Sequence, residues 1–407
     1  MKFIRVLYTL VMVALAMTAC TSSVPIEASS DGDTAAVVQG NTAFALDLYG
    51  KLKTEHGNLF LSPYSISTAL AMTYAGARGD SEKQMANVLH FTPDNNQLHP
   101  SFALLEAQLN AIQGKGDIEL SVANALWLQN DYAFFKSFLD LIEKNYGAVI
   151  NRVNFRGASE AVRIKINRWV EEKTKDKIMD LIKPGVLDSL TRLVLTNAIY
   201  FKGNWASQFE TSKTKEETFW LDSGNSISVP MMVQKKDFRY VESESLQILE
   251  LPYTGNDLSM IVLLPRERDG LGKLEASLTV ENLTNWLNLL KENEIRVFLP
   301  KFKMTSQFSL SQTLASMGMP DVFTSKADFS GMTDKKDLYI SAVIHKAFVD
   351  VNEEGTEAAA ATAVAMRFLS MPSPPPVFRA DHPFLFLIRH HSSESILFLG
   401  RVVNPMT

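Results

Sequence analysis

Four stretches in the second half of this chain are apolar at every parity: 192–201 (RLVLTNAIYF), 258–264 (LSMIVLL), 384–388 (FLFLI) and 396–399 (ILFL). A strand with one wet face alternates polar and apolar residues, so strands that do not alternate must be covered on both faces. The chain therefore has to build sheets sandwiched inside layers. Ile295, Val297 and Leu299 alternate instead and predict a one-sided strand. Helical spacing dominates earlier. Phe44, Leu48 and Leu52 form one stripe, Phe102, Leu105, Leu109 and Ile112 a second, and Val162, Ile166, Trp169 and Val170 a third. Ser62-Pro63 is a helix-start signal, with proline at the first helical position of 63–77. The fold class is α+β, with helices early and sheets late. Hydrophobic residues make up 46% of the 407, enough for a large core, and no Pro/Gly/Ser-rich break divides the chain. We therefore expect one large domain over 39–407.

The N-terminus reads as an export signal over 1–19. Lys2 and Arg5 start it, Val6 to Met17 supply a short apolar run, and Thr18-Ala19 precede Cys20. The run is too short for a comfortable membrane span. Small residues before the sole cysteine resemble the bacterial lipobox, in which the cysteine is diacylated and becomes the mature N-terminus. Met17 departs from the usual Leu, Val or Ile three positions before it; the alternative is a plain secretory signal cut after Ala16. Acyl chains contribute about 0.8 kcal/mol per buried methylene, so two or three anchor stably. Residues 21–37 are small and polar, and 20–38 is expected to be a lipidated cysteine followed by a flexible tether. Such a protein would sit in a bacterial outer membrane or on the cell surface, or otherwise be secreted.

Signals of catalysis are lacking. HExxH, GxSxG and Walker-type loops are absent. Ser212-Lys213-Thr214-Lys215 fits S-x-x-K without its partner motifs. His390 and His391 are neighbours, and neighbours on a strand point to opposite faces, so they do not share a metal. Arg78-Gly79-Asp80 reads as a plain turn. Arg163, Lys165 and Arg168 are interspersed with Glu171 and Glu172 as on a solvated face. With a net charge of −5, the composition carries no nucleic-acid signal. No enzyme, cofactor or metal is predicted.

The segment 353–376, EEGTEAAAATAVAMRFLSMPSPPP, is the unusual one. Its alanines favour a helix. Its parity also fits a strand: Thr356, Ala358, Ala360, Thr362, Val364 and Met366 are uncharged, while Glu357 and Arg367 fall on the other face. Gly355 is a pivot, and the prolines that follow keep the chain extended. Such a segment can lie outside as a loop or slide between strands.

Here the sequence resembles the serpin family over essentially all of 39–407. The resemblance rests on NLFLSPYSISTAL (58–70), TNAIYFKGNW (196–205), LELPYTGNDLSMIVLLP (249–265), LPKFKM (299–304), MGMPDVFTSKADFSGM (317–332), ISAVIHKAFVDVNEEGTEAAAATAV (340–364), DHPFLFLI (381–388) and LFLGRVVNP (397–405). It implies three β-sheets, eight or nine helices, an exposed reactive-centre loop over 353–376 and a metastable fold. It implies a hinge at Glu353, Glu354, Gly355, Thr356, Glu357 and the alanines Ala358, Ala359, Ala360 and Ala361. The bait bond would be Leu369–Ser370, with Arg367, Phe368 and Met371 as secondary contacts. Lys301 and Glu353 would pin the top of the hinge, Trp205 would be the breach tryptophan, and Ser62, Ser65, Asn197 and His345 would control sheet opening. The implied function is suicide inhibition of serine proteases with apolar primary specificity, by a monomer whose partner is the acylated protease. Inhibition of papain-like cysteine proteases and a non-inhibitory binding or chaperone-like role are the alternatives.

Overall fold

The computed structural model describes residues 31–92, 94–113, 118–222, 224–356 and 374–407. Nine α-helices occur among them. Six come early: α1 (Asp31–Leu52), α2 (Pro63–Tyr74), α3 (Gly79–Leu89), α4 (Asn95–Asn110), α5 (Lys136–Tyr146) and α6 (Phe155–Lys173). Three short ones follow: α7 (Leu271–Ser277), α8 (Val280–Asn288) and α9 (Ser311–Met317). The strands are β1 (Leu59–Leu61), β2 (Glu119–Gln129), β3 (Val149–Val153), β4 (Leu193–Asn204), β5 (Lys215–Trp220), β6 (Ser226–Glu242), β7 (Leu246–Pro252), β8 (Leu258–Pro265), β9 (Lys291–Pro300), β10 (Phe302–Ser309), β11 (Ala342–Val351), β12 (Gly355–Thr356), β13 (Val377–Arg379), β14 (Phe384–His390) and β15 (Ile396–Val402).

The six-stranded sheet runs β10–β11–β4–β2–β3, with β12 added on β4. Its strands lack alternation because both faces are covered. Ala123, Ala125, Ala198 and Tyr200 pack outward under Val162, Ile166 and Val170 of α6. Leu195, Ile199 and Phe201 pack inward. The nine-stranded sheet runs β1–β15–β14–β8–β7–β6–β9–β13, with β5 on β6. It accounts for two of the three expected sheets. The 17-residue β6 joins both arms, pairing β9 through Met231–Tyr240 and β7 through Arg239–Glu242. The one-sided reading of β9 is corrected at Phe298. It faces the supposedly wet side yet is 5% exposed, roofed by the guanidinium of Arg379 3.5 Å from its ring.

The expected tether is too long. Residues 31–38 are the first turns of α1, and Val37 and Val38 are buried. The reason is periodic. Val37, Asn41, Phe44 and Leu48 continue one face, on which the buried Asn41 accepts a 2.6 Å bond from Ser67 of α2. α2 is buried at every position; Ser62 caps it by accepting from the Ser65 N–H, and Pro63 stands at its start. That cap presses the N-terminus of α2 against the six-stranded sheet.

Candidate functional site

The site grows from one ladder. β11 and β4 are parallel neighbours, paired from Ala342↔Val194 to Phe348↔Tyr200. Beyond Phe348 they part. The chain turns at Asn352, whose N–H donates to Gly355 O at 2.9 Å, and comes back as β12. β12 lies antiparallel on β4, with Gly355 opposite Asn204 and Thr356 opposite Gly203. A strand running this way is antiparallel to β4 and to β11 alike, the stronger pairing of the two geometries. Only glycine fits at 355: a Cβ there would lie 2.2 Å from Gly203 O and 2.5 Å from the Asn204 Cα. Gly203 keeps the facing side bare.

Side chains hold this entry. Thr356 is fully buried, and its hydroxyl lies 3.1 Å from that of Tyr253. Tyr253 stacks on Trp205 at 4.7 Å, and the indole N–H of Trp205 donates to Asn352 O at 3.0 Å. The Trp205 and Phe209 amides donate to Glu354 O and Glu353 O, each at 2.8 Å. The Glu353 carboxylate, itself buried, accepts from Lys301 Nζ at 2.7 Å and from the Thr214 hydroxyl at 2.8 Å. Burial opposes its charge, but these two donors win and hold its pKa below the ordinary value. Burial likewise drives the Tyr253 phenol well above its usual pKa, so it stays protonated.

Lower on the same ladder a polar row crosses the sheet. His345 pairs with Asn197, and Asn197 with Asn124, in the β11–β4 and β4–β2 registers. The His345 Nε2 accepts from the Ser62 N–H at 3.1 Å, so Nδ1 carries the proton and donates to Asn197 Oδ1. Asn197 donates to Asn124 Oδ1 and to Ser65 Oγ, the latter at 2.5 Å. Ser62 Oγ donates to Leu397 O at 2.6 Å. Burial lowers the His345 pKa to about 3, so the imidazole is neutral at physiological pH. The row ties three strands, α2 and β15 together, and pulling β11 from β4 must break it.

The structure thus brings Lys301, Trp205, Glu353, Glu354, Gly355 and Thr356 together at the top, and Ser62, Ser65, Asn197 and His345 below. Cys20, Glu357, Ala358, Ala359, Ala360, Ala361, Arg367, Phe368, Leu369, Ser370 and Met371 lie outside the described residues. Sequence reasoning missed Tyr253, Thr214, Gly203, Asn352 and Asn124. Asn124 carried a legible signal, a lone amide in the apolar run of β2, as Asn197 is in β4. His390 and His391 make separate contacts, with Ser393 Oγ and Ser259 Oγ. Among the described residues no group of His, Cys, Asp and Glu is placed to hold a metal.

The described site is thus a two-residue strand paired onto the upper end of β4 above a buried polar row that crosses β11, β4 and β2. The chain belongs to the serpin family: residues 39–405 match the family model described as Serpin (serine protease inhibitor). It is 47% identical over 375 residues to the leukocyte elastase inhibitor of Sus scrofa, covering 90% of this chain and 98% of that protein. It is 46% identical over 378 residues to the Homo sapiens protein of the same name, with the same coverage. The structure of uncleaved ovalbumin matches with a TM-score of 0.82 at 34% identity, over 91% of this chain and 100% of that one. The chain is accordingly a protease inhibitor of that family and not an enzyme.

Proposed function

We propose that this serpin is a single-use inhibitor of serine proteases with an apolar primary pocket, elastase-like enzymes first among them. The observation that carries this reading is the engaged hinge: Gly355 and Thr356 already occupy the gap between β11 and β4 in antiparallel register. Carried on in that register, Ala358 comes opposite Phe201, Ala360 opposite Ile199 and Thr362 opposite Asn197. Directly opposed residues share a face, so the uncharged parity enters the core, and Glu357 and Arg367 stay on the other side. Small residues meet the bulky Phe201 and Ile199, and a hydroxyl arrives at the polar row.

Strand addition of this kind is an established serpin motion. The protease nucleophile attacks the carbonyl of Leu369, the amine of Ser370 leaves, and an acyl-enzyme forms. Insertion then carries the acylated protease along the sheet before water reaches the ester. Each new backbone hydrogen bond contributes about 0.5–1.5 kcal/mol net, and two antiparallel ladders replace one parallel ladder. The uncleaved fold is a kinetic trap. Leu369 suits an apolar primary pocket, and the names of the relatives support an elastase. Phe368, one position back, favours papain-like cysteine proteases as a second target class.

Cys20 supports placement of the chain on a bacterial envelope through a lipid anchor. An alkyne fatty acid supplied to an expressing bacterium should label the full chain and fail to label Cys20→Ser. For inhibition, the protein is mixed with elastase, chymotrypsin, subtilisin, trypsin and papain, then run on denaturing gels with the cut located by mass. A denaturant-stable complex with elastase, cut at Leu369–Ser370, is expected. Cleavage by all five without a complex would overturn the reading. Leu369→Arg should move trapping to trypsin; an unchanged target profile would shift the bait bond.

A further inference from the structure

The bait segment has two ends, and they are held by different means. The hinge end lies in a ladder, bonded to β4 through its backbone. The far end returns through Pro374, Pro375 and Pro376 into β13, which has three residues and a single partner strand. β13 runs parallel to β9, with Val377 opposite Arg296, Phe378 opposite Val297 and Arg379 opposite Phe298. So short a parallel edge strand is weak on its own. Its ends are closed by the Arg296 N–H donating to Pro376 O at 3.0 Å and the Ala380 N–H donating to Phe298 O at 2.9 Å.

Side chains make up the deficit. The guanidinium of Arg379 lies 3.5 Å from the centre of the Phe298 ring and is ion-paired with Glu217 of β5. Arg296 is a second cation on that ring, at 5.1 Å. The buried Gln247 of β7 donates to Val377 O at 3.0 Å, and the Trp220 N–H of β5 donates to Asp381 O at 2.8 Å. Arg379 is where these holds meet, since it touches β9 and β5 at once. An isolated surface ion pair holds little. One whose guanidinium also covers a buried ring is fixed in direction, because the planar fork stacks and pairs together.

What this clamp supports is stiff. Pro372, Pro374, Pro375 and Pro376 stand between the expected bait bond and β13, and each locks its own φ. A proline-rich stem passes the angle of its base to its tip, where a glycine-rich one would absorb it in bends. We propose that Arg379 is a positioning residue for inhibition: held between Phe298 and Glu217, it sets the direction in which the proline stem leaves the body and so which bond is offered to the protease. The proposal rests on the reading of Leu369–Ser370 as the bait bond. Arg379 acts through the stem and does no chemistry.

The test uses the full-length protein with elastase, comparing wild type, Arg379→Ala and Arg379→Lys. Denaturant unfolding checks that each variant is folded before its rate is read. Two quantities follow: the second-order rate of complex formation and the masses of the cut loop. In Arg379→Ala the rate should fall about tenfold, the scale of a small misplacement of the reacting bond, and cuts after Phe368 or Met371 should appear beside the cut at Leu369–Ser370. Arg379→Lys keeps a charge for Glu217 but cannot cover the ring in the same way, so it should recover part of the rate and retain the stray cuts. A residue that only stabilised the fold would change the unfolding midpoint and leave the cut site alone. Wild-type rate with a single cut in R379A would overturn the proposal, whatever its stability. A lysine variant indistinguishable from wild type would overturn the role of the ring. Wild-type protein that forms no complex, or is cut elsewhere, would instead remove the bait-bond reading itself.

Discussion

The two ends of the β11–β4 ladder solve opposite problems. At the top the ladder is already parted, and the backbone of the hinge supplies the bonds that the strands have given up. Lower down it is closed, and side chains seal it: His345, Asn197 and Asn124 in a row, with Ser62 and Ser65 behind them. The top is cheap to extend, since each residue entering trades solvated backbone for ladder bonds. The lower region is costly, since opening it exposes or strands several buried polar groups at once. Insertion should therefore begin at Gly355 without a barrier of its own and be limited at His345–Asn197. On the proposed function, initiation and control would lie at different heights of one sheet.

Breaking the top should have the largest effect. Thr356 is fully buried against Tyr253. Thr356→Arg would require a charge there, at several kcal/mol, and should turn the inhibitor into a substrate. Gel stoichiometry should rise from near one to about ten or more serpins per protease trapped; trapping at the wild-type ratio would show that the hinge does not enter. Asn197→Ala strikes the lower lock. It leaves the His345 N–H unpaired and takes one of two donors from Asn124 Oδ1, which keeps the Ser65 hydroxyl, and should cost the uncleaved form about 2–3 kcal/mol, seen in denaturant unfolding. The cleaved form should lose less, and a loss equal in both would mean the row is ordinary core.

Lys301→Ala tests the pin with a smaller effect. Glu353 keeps Thr214 but loses its cation, and because Lys301 is partly solvated the cost should be about 1–2 kcal/mol. Loss of that size in the intact form, without loss of trapping, would separate pinning from insertion. The pH dependence of the lock is the finest comparison. A histidine whose pKa falls to about 3 on burial adds stability that is complete above about 6.5 and drains away as pH falls towards 3. Other groups titrate in the same range, so the quantity to measure is the difference between His345→Gln and wild type, which cancels what both share. The mutant should lose less stability than wild type between pH 6.5 and 4; parallel curves would place the titration elsewhere.

Much of this is legible in the amino-acid sequence. The resemblance to the serpins named most of the residues at both ends of the ladder, and in the structure each stands out from its local context. Asn197 interrupts an apolar strand, Gly355 precedes a run of small residues, and Glu353 sits at the end of a buried strand. Tyr253, Thr214 and Gly203 gave no such sign, because tyrosine, threonine and glycine are ordinary where they stand. They matter through what a distant segment brings to them. The helix start at Asp31 was hidden by small polar residues whose periodicity counts only once Asn41 is seen to be buried.

By itself, the sequence determined the alternation patterns: which strands are covered on both faces, where α2 must begin, and that the hinge parity is small and uncharged. These follow from period and propensity, properties of neighbours along the chain. The tertiary structure alone decided that β11 and β4 are parallel and adjacent, that their upper ends part around Gly355, and that His345 and Asn197 fall in register. Those are pairings between segments some 150 residues apart, set by packing of whole layers. No local preference encodes such a distance.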